Sequence, residues 1–105
     1  MKVVRVKVGS APVVVDIKKG LESLQNEVGG WIEVIYPFEQ EIAIVCNEEA
    51  KLIGLERNVY LCQYGVPYDV ICGDFIVVGL GEEDFTDVPD DTIDFIKRFV
   101  EINRA

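Results

Sequence analysis

Two nearly continuous apolar runs constrain the fold of this chain more than any other feature of its sequence. They are Ile42–Cys46 and Phe75–Leu80, and neither contains a charged residue. A strand with one wet face alternates apolar and polar residues, whereas a strand covered on both faces is apolar throughout. We therefore predict that both runs are buried strands and that the first lies centrally in its sheet.

The N-terminal segment predicts a β-hairpin. Val4, Val6 and Val8 alternate with basic residues, and Gly9–Pro12 then turns the chain into the apolar segment Val13–Ile17. Alternation with a period of two, bounded by glycine and proline, is typical of a hairpin with one solvated face.

A short helix is predicted after the hairpin, over Lys18–Val28. Leu21, Leu24 and Val28 lie at offsets of three and seven, which places them on one stripe of a helix. Glycine readily adopts the positive φ that ends a helix, so Gly29–Gly30 marks its C-terminus. We expect all three apolar residues to pack on the sheet.

Four further segments complete the prediction. Trp31–Tyr36 is rich in β-branched and aromatic residues and predicts a strand. Lys51–Leu55 is interpreted as a short returning strand, and Glu56–Val66 as irregular with one turn of helix at most. Pro89–Asn103 predicts a C-terminal helix, because it begins with proline and several aspartates and carries its basic residues towards the other end.

These elements predict an α+β fold in a single globular domain over residues 1–105. It comprises an N-terminal β-hairpin, a short helix, an antiparallel or mixed sheet, and a C-terminal helix packed on one face of that sheet. Half of the residues are apolar and 28% are charged, a composition within the range of globular domains.

Charge and the absence of histidine narrow the chemistry. The net charge is −9, and the stretch from residue 20 to 96 holds seventeen acidic residues against Lys51 and Arg57. Proteins bind nucleic-acid phosphates through Lys and Arg, so direct binding of that kind is disfavoured. The chain contains no histidine, which is the side chain that most often acts as a general base at neutral pH. No catalytic constellation is recognisable, which favours a non-enzymatic role and leaves open an enzyme that uses a carboxylate or a cysteine.

No cofactor or metal is predicted. Cys46, Cys62 and Cys72 are widely spaced among apolar neighbours, as expected of reduced and mostly buried thiols rather than a zinc site. The seven acids of Glu82–Asp94 lack the ligand spacing of a calcium loop. Gly79 and Gly81 form a Gly-x-Gly followed by acids, which would repel a phosphate.

The candidate binding surface combines exposed aromatic residues with a polar turn and its neighbours. Tyrosine and tryptophan supply rigid contact area with a polar group, and two carboxylates beside a lysine could bind or transfer protons. Ordinary sheet packing and a solvated turn are the alternatives. The candidate residues are Trp31, Glu33, Tyr36, Asn47, Glu48, Glu49, Lys51, Arg57, Asn58 and Tyr68.

Several short motifs, in order, resemble the domain-of-unknown-function family numbered 3846. They are Gly29-Gly30-Trp31-Ile32-Glu33, Asn47-Glu48-Glu49-Ala50-Lys51-Leu52 with Gly54-Leu55 and Asn58, Tyr68-Asp69-Val70-Ile71-x-Gly73, and Phe75 to Gly79. Ala50 stands where the family usually has glycine. The resemblance spans about Leu21 to the final helix, and it implies a small cytosolic protein of bacteria, archaea, phages and mobile elements, without a known activity.

We therefore expect a cytoplasmic, non-enzymatic binding or accessory protein of phage or mobile-element type. Its partner would be a protein or a small molecule. The alternatives are a protein that sequesters a small molecule, such as a nucleotide-like signal, and an inhibitor that acts as an acidic mimic of DNA. No membrane association is expected, since no apolar run approaches 18 residues. A homodimer formed through an edge strand is compatible with each alternative.

Overall fold

The computed structural model describes residues 1–105 and shows an α+β fold, as predicted. A main antiparallel sheet is accompanied by a separate two-stranded hairpin and two α-helices. In chain order the elements are β1 (Lys2–Val6), β2 (Val13–Asp16), α1 (Leu21–Val28), β3 (Ile32–Ile35), β4 (Ile42–Asn47), β5 (Arg57–Gln63), β6 (Val66–Cys72), β7 (Phe75–Leu80), β8 (Phe85–Thr86), a 3-10 turn (Asp90–Thr92) and α2 (Ile93–Asn103).

The main sheet has the strand order β2-β1-β7-β4-β3, and β8 pairs with β7. The two apolar runs form β4 and β7, which lie side by side, and every residue of β4 is buried. The predictions that both runs are buried strands and that the first lies centrally are therefore confirmed. The strands β2 and β3 lie at the two edges of the sheet.

Both faces of the sheet are covered, which explains why its central strands are apolar throughout. Leu24 and Val28 of α1 pack on one face. Residues of the β5–β6 hairpin and of α2 pack on the other, with Ile71 and Ile96 among them. The predicted C-terminal helix thus packs on the sheet. The prediction that Leu21 also packs on the sheet is wrong: Leu21 is the first residue of α1 and is 54% exposed.

The region between β4 and β7 differs from the prediction in two places. Lys51–Leu55 is a turn rather than a strand, and Gly54 reverses it with a φ of 72°. The prediction of an irregular segment over Glu56–Val66 is wrong, because most of this segment forms β5 and the turn into β6. Tyr64 and Gly65 adopt φ values of 52° and 76°, as a tight two-residue hairpin turn requires. Gly65 suits this turn, but tyrosine rarely adopts a positive φ, so Tyr64-Gly65 is not one of the usual sequence signals for a two-residue hairpin turn.

The C-terminal helix begins later than predicted. Residues 90–92 form the 3-10 turn, in which the Thr92 amide and hydroxyl both donate to the carbonyl of Pro89. The α-helical pattern of hydrogen bonds therefore starts only at Ile93. None of the helices has both the length and the apolar character needed to cross a membrane.

Candidate functional site

An acidic cleft of about 280 Å³ opens where β3, the loop after β4 and β6 meet. Four charged side chains line it, one from β3, two from the loop and one from β6. They are Glu33, Glu48, Lys51 and Asp69, and the rest of the lining comprises Ile35, Cys46, Asn47, Ala50, Leu52, Val70, Ile71 and Cys72. Three carboxylates against one ammonium make the cleft acidic.

Lys51 and Asp69 join the two sides of the acidic cleft. The Lys51 Nζ donates to Asp69 Oδ1 at 2.5 Å, and the Val70 amide donates to the same oxygen at 2.8 Å. The hydrogen bond to Asp69 raises the pKa of Lys51, and the hydrogen bond from Lys51 lowers the pKa of Asp69. Both side chains remain well exposed, so the pair contributes little to stability.

This ion pair decides the electrostatics of the acidic cleft. The charge of Lys51 is balanced by Asp69, whereas Glu33 and Glu48 form no ion pair. No tyrosine ring lines the cleft. The arrangement therefore favours a cationic occupant over an anionic one.

Cys46 lies in the wall of the acidic cleft, but its thiol is poorly suited to nucleophilic chemistry. Burial, together with the smaller effect of the neighbouring charges of Glu33 and Asp69, raises the pKa of Cys46 to about 12. Its Sγ approaches the Glu33 carbonyl at 3.7 Å. Since the thiolate is the reactive form, the raised pKa disfavours reaction of the Cys46 thiol at neutral pH. All three cysteines are free; Cys46 and Cys72 are buried, while Cys62 is exposed.

Asn47 positions the loop that forms the acidic cleft. Its side chain is buried, with Nδ2 donating to the Val28 carbonyl at 3.2 Å and Oδ1 accepting from the Glu49 amide at 2.8 Å. A Cβ at Gly30 would come within 3.0 Å of Asn47 Nδ2. The double glycine that ends α1 and the asparagine that ends β4 are therefore one packed unit.

The structure brings four of the ten predicted site residues to this cleft, namely Glu33, Asn47, Glu48 and Lys51. Trp31 and Tyr36 flank the edge strand β3 and are each more than 60% exposed. Glu49 is exposed outside the cleft lining.

The other predicted residues lie elsewhere. Arg57 is exposed at the start of β5, and Tyr68 lines a separate hollow that includes Phe38 and Phe99. Asn58 is fully buried, and its Nδ2 donates to the carbonyls of Val6 at 3.0 Å and Gly73 at 2.9 Å. Its role in the fold is to join β5 to the main sheet.

Asp69 is the residue that sequence analysis missed as part of the site. Its only sequence signal was its place in the motif Tyr68-Asp69-Val70-Ile71-x-Gly73, one of those that carry the family resemblance. It comes to Lys51 because the β5–β6 hairpin folds under the sheet, a contact between residues 18 positions apart. No group of three or more acidic or cysteine side chains is arranged to hold a metal ion.

A family model described as Domain of unknown function (DUF3846) matches residues 1–101. The match confirms the resemblance that the motifs carried and extends it over the N-terminal hairpin. No curated protein and no solved structure matches the chain. These comparisons therefore supply no ligand and no reaction.

Proposed function

The chain belongs to the DUF3846 family, and we propose that it is a non-enzymatic binding protein whose acidic cleft takes a basic segment of a protein partner. The observation that carries this proposal is the convergence of Glu33, Glu48 and Asp69, from three separate segments, on one cleft beside a single ion-paired lysine. Opposite charges across an interface speed association and fix its register.

Exposed apolar residues around the cleft support binding to a protein rather than to a small cation. Leu52, at the rim, is 87% exposed, and Trp31 and Tyr36 flank the adjoining edge strand at 63% and 64%. Tryptophan and tyrosine contribute disproportionately to binding energy at protein interfaces. A partner that covered the cleft would bury Leu52 as well.

The setting that we propose is the cytoplasm, in an accessory protein of phage or mobile-element type. The free cysteines support a reducing compartment, because two of them are buried without forming a disulfide. The mobile-element setting is supported only by the resemblance of the motifs. A net charge of −9 suits a protein that acts on a basic partner.

The test measures binding of a fluorescent hexapeptide of alternating lysine and valine, by anisotropy at low salt. The cleft variant combines Glu33→Gln, Glu48→Gln and Asp69→Asn. The control variant, Glu82→Gln, Glu83→Gln and Asp84→Asn, changes the net charge by the same amount in an exposed loop away from the cleft.

We expect the wild type and the control variant to bind the peptide with similar affinity, and the cleft variant to bind at least about tenfold more weakly. Equal weakening in both variants would show attraction by net charge alone and would contradict the proposal. Preferential binding of an anionic small molecule to the wild type would favour the sequestering alternative instead.

A further inference from the structure

The outer edge of β3 is open, and it adjoins the acidic cleft. β3 is the last strand of the sheet and pairs only with β4. Its Glu33 and Ile35 side chains line the cleft, while Ile32 and Val34 pack on the side of α1. Any strand placed beside β3 would therefore pass along the mouth of the cleft.

The pairing of β3 with β4 shows which backbone groups are free. The Glu48 amide donates to the Trp31 carbonyl at 2.9 Å, so these two residues form a hydrogen-bonded pair of the antiparallel ladder. In such a ladder hydrogen-bonded and non-hydrogen-bonded pairs alternate. The pair Glu33↔Cys46 is then hydrogen-bonded. Ile32 and Val34 belong to non-hydrogen-bonded pairs, so their N–H and C=O groups point away from β4, towards the open edge of the sheet.

These outward groups have no partner within the protein. Neither Ile32 nor Val34 contributes a backbone group to any hydrogen bond outside the strands, and no further strand follows β3 in the sheet. Unpaired groups at a sheet edge form a template for another extended chain.

From this geometry we infer that the partner segment binds as an added β-strand on β3, with basic side chains at every second position. The inference rests on the proposed function and specifies the conformation of the occupant. Directly opposite residues in neighbouring strands share a face of the sheet. Residues of the added strand that share a face with Glu33 therefore lie over the cleft and meet its carboxylates. Residues of the added strand on the other face lie beside Ile32 and Val34 and are apolar.

A second copy of this chain is a poor occupant of the same edge. Pairing β3 with β3 would bring the carboxylates of two acidic clefts together, and each chain carries a net charge of −9. Like charges across a strand pair are destabilising. The charge of the cleft therefore selects a basic strand over self-association.

The short length of β3 explains why the added strand needs the cleft. With Ile32 and Val34 as the only outward-facing residues of a four-residue strand, few backbone hydrogen bonds are available. Each such bond makes a modest net contribution. The cleft carboxylates supply the remaining affinity and the preference for basic residues.

The test uses the full-length protein and two N-methylated forms of the lysine–valine hexapeptide. One form is methylated at the valine amides, which would face β3 in an antiparallel addition. The other is methylated at the lysine amides, which would face β3 in a parallel addition. We expect one of the two forms to bind at least about tenfold more weakly than the other.

Hydrogen exchange provides an independent readout of the same contact. With the unmethylated peptide bound, the amides of Ile32 and Val34 should become protected, while those of Glu33 and Ile35, already bonded to β4, should change little. If both methylated peptides bind like the parent and no protection appears, strand addition is overturned. The proposed function would still stand in that case if the cleft variant lost binding, so the two failures are distinguishable.

Discussion

The side-chain amide of Asn47 donates to the carbonyl of Val28 across 3.2 Å, so the last residue of β4 closes the C-terminus of α1. The same side chain accepts from the Glu49 amide and starts the loop that carries Glu48 and Lys51. The end of a helix and the wall of the acidic cleft therefore depend on one buried amide.

Replacing Asn47 with alanine should destabilise the protein by about 1–3 kcal/mol, because a buried carbonyl and an amide lose their partner. Urea denaturation followed by circular dichroism measures the change. Asn26→Ala is the control, since Asn26 is exposed on α1 and alanine favours a helix. Equal stability of Asn47→Ala and wild type would contradict the structural role of this residue.

Asn58→Ala should cost on the order of 3 kcal/mol, more than the change at Asn47. Its amide satisfies the carbonyls of Val6 and Gly73, and its Oδ1 accepts from Arg104. The comparison variant Arg104→Met removes the last of these contacts and the exposed hydrogen bond from Arg104 to the Ser10 carbonyl, and it should cost less. Reversal of this order in thermal or urea unfolding would show that the buried amide is not the main link between β5 and the sheet.

The carboxyl group of Asp69 should titrate below the ordinary value of 3.8, since Lys51 and the Val70 amide both donate to it. A depressed pKa stabilises the fold above the unfolded-state pKa, and this small contribution is lost as the pH falls through the folded-state pKa. Carboxyl carbon NMR follows the titration. In Lys51→Met the midpoint should move upward, and an unchanged midpoint would mean that the ion pair does not form in solution.

Thiol labelling should separate the three cysteines. Cys62 is exposed and should react readily with a neutral thiol reagent, whereas Cys46 and Cys72 are buried and should react only upon unfolding. The pKa of about 12 further suppresses the thiolate of Cys46. Cys62→Ser should remove the fast phase. Fast labelling in that variant would show that the acidic cleft opens to admit reagents.

Much of the fold followed from local patterns. The apolar runs predicted the buried strands β4 and β7, and the N-terminal alternation predicted the β1–β2 hairpin. Both predictions depend on the pattern of apolar and polar residues along a short stretch of chain, which the sequence shows directly. The β5–β6 hairpin was missed because its turn uses Tyr64 at a positive φ, a conformation that tyrosine rarely adopts.

For the candidate site, the sequence by itself identified the polar turn and its glutamates and excluded histidine chemistry, because residue types and short spacings suffice for that. Only the tertiary structure decided that Glu33, Lys51 and Asp69 share one cleft and that Asn58 is buried within the fold. The physical reason is that strand order and the packing of a hairpin under a sheet bring together residues far apart in sequence. Such long-range contacts leave no local pattern.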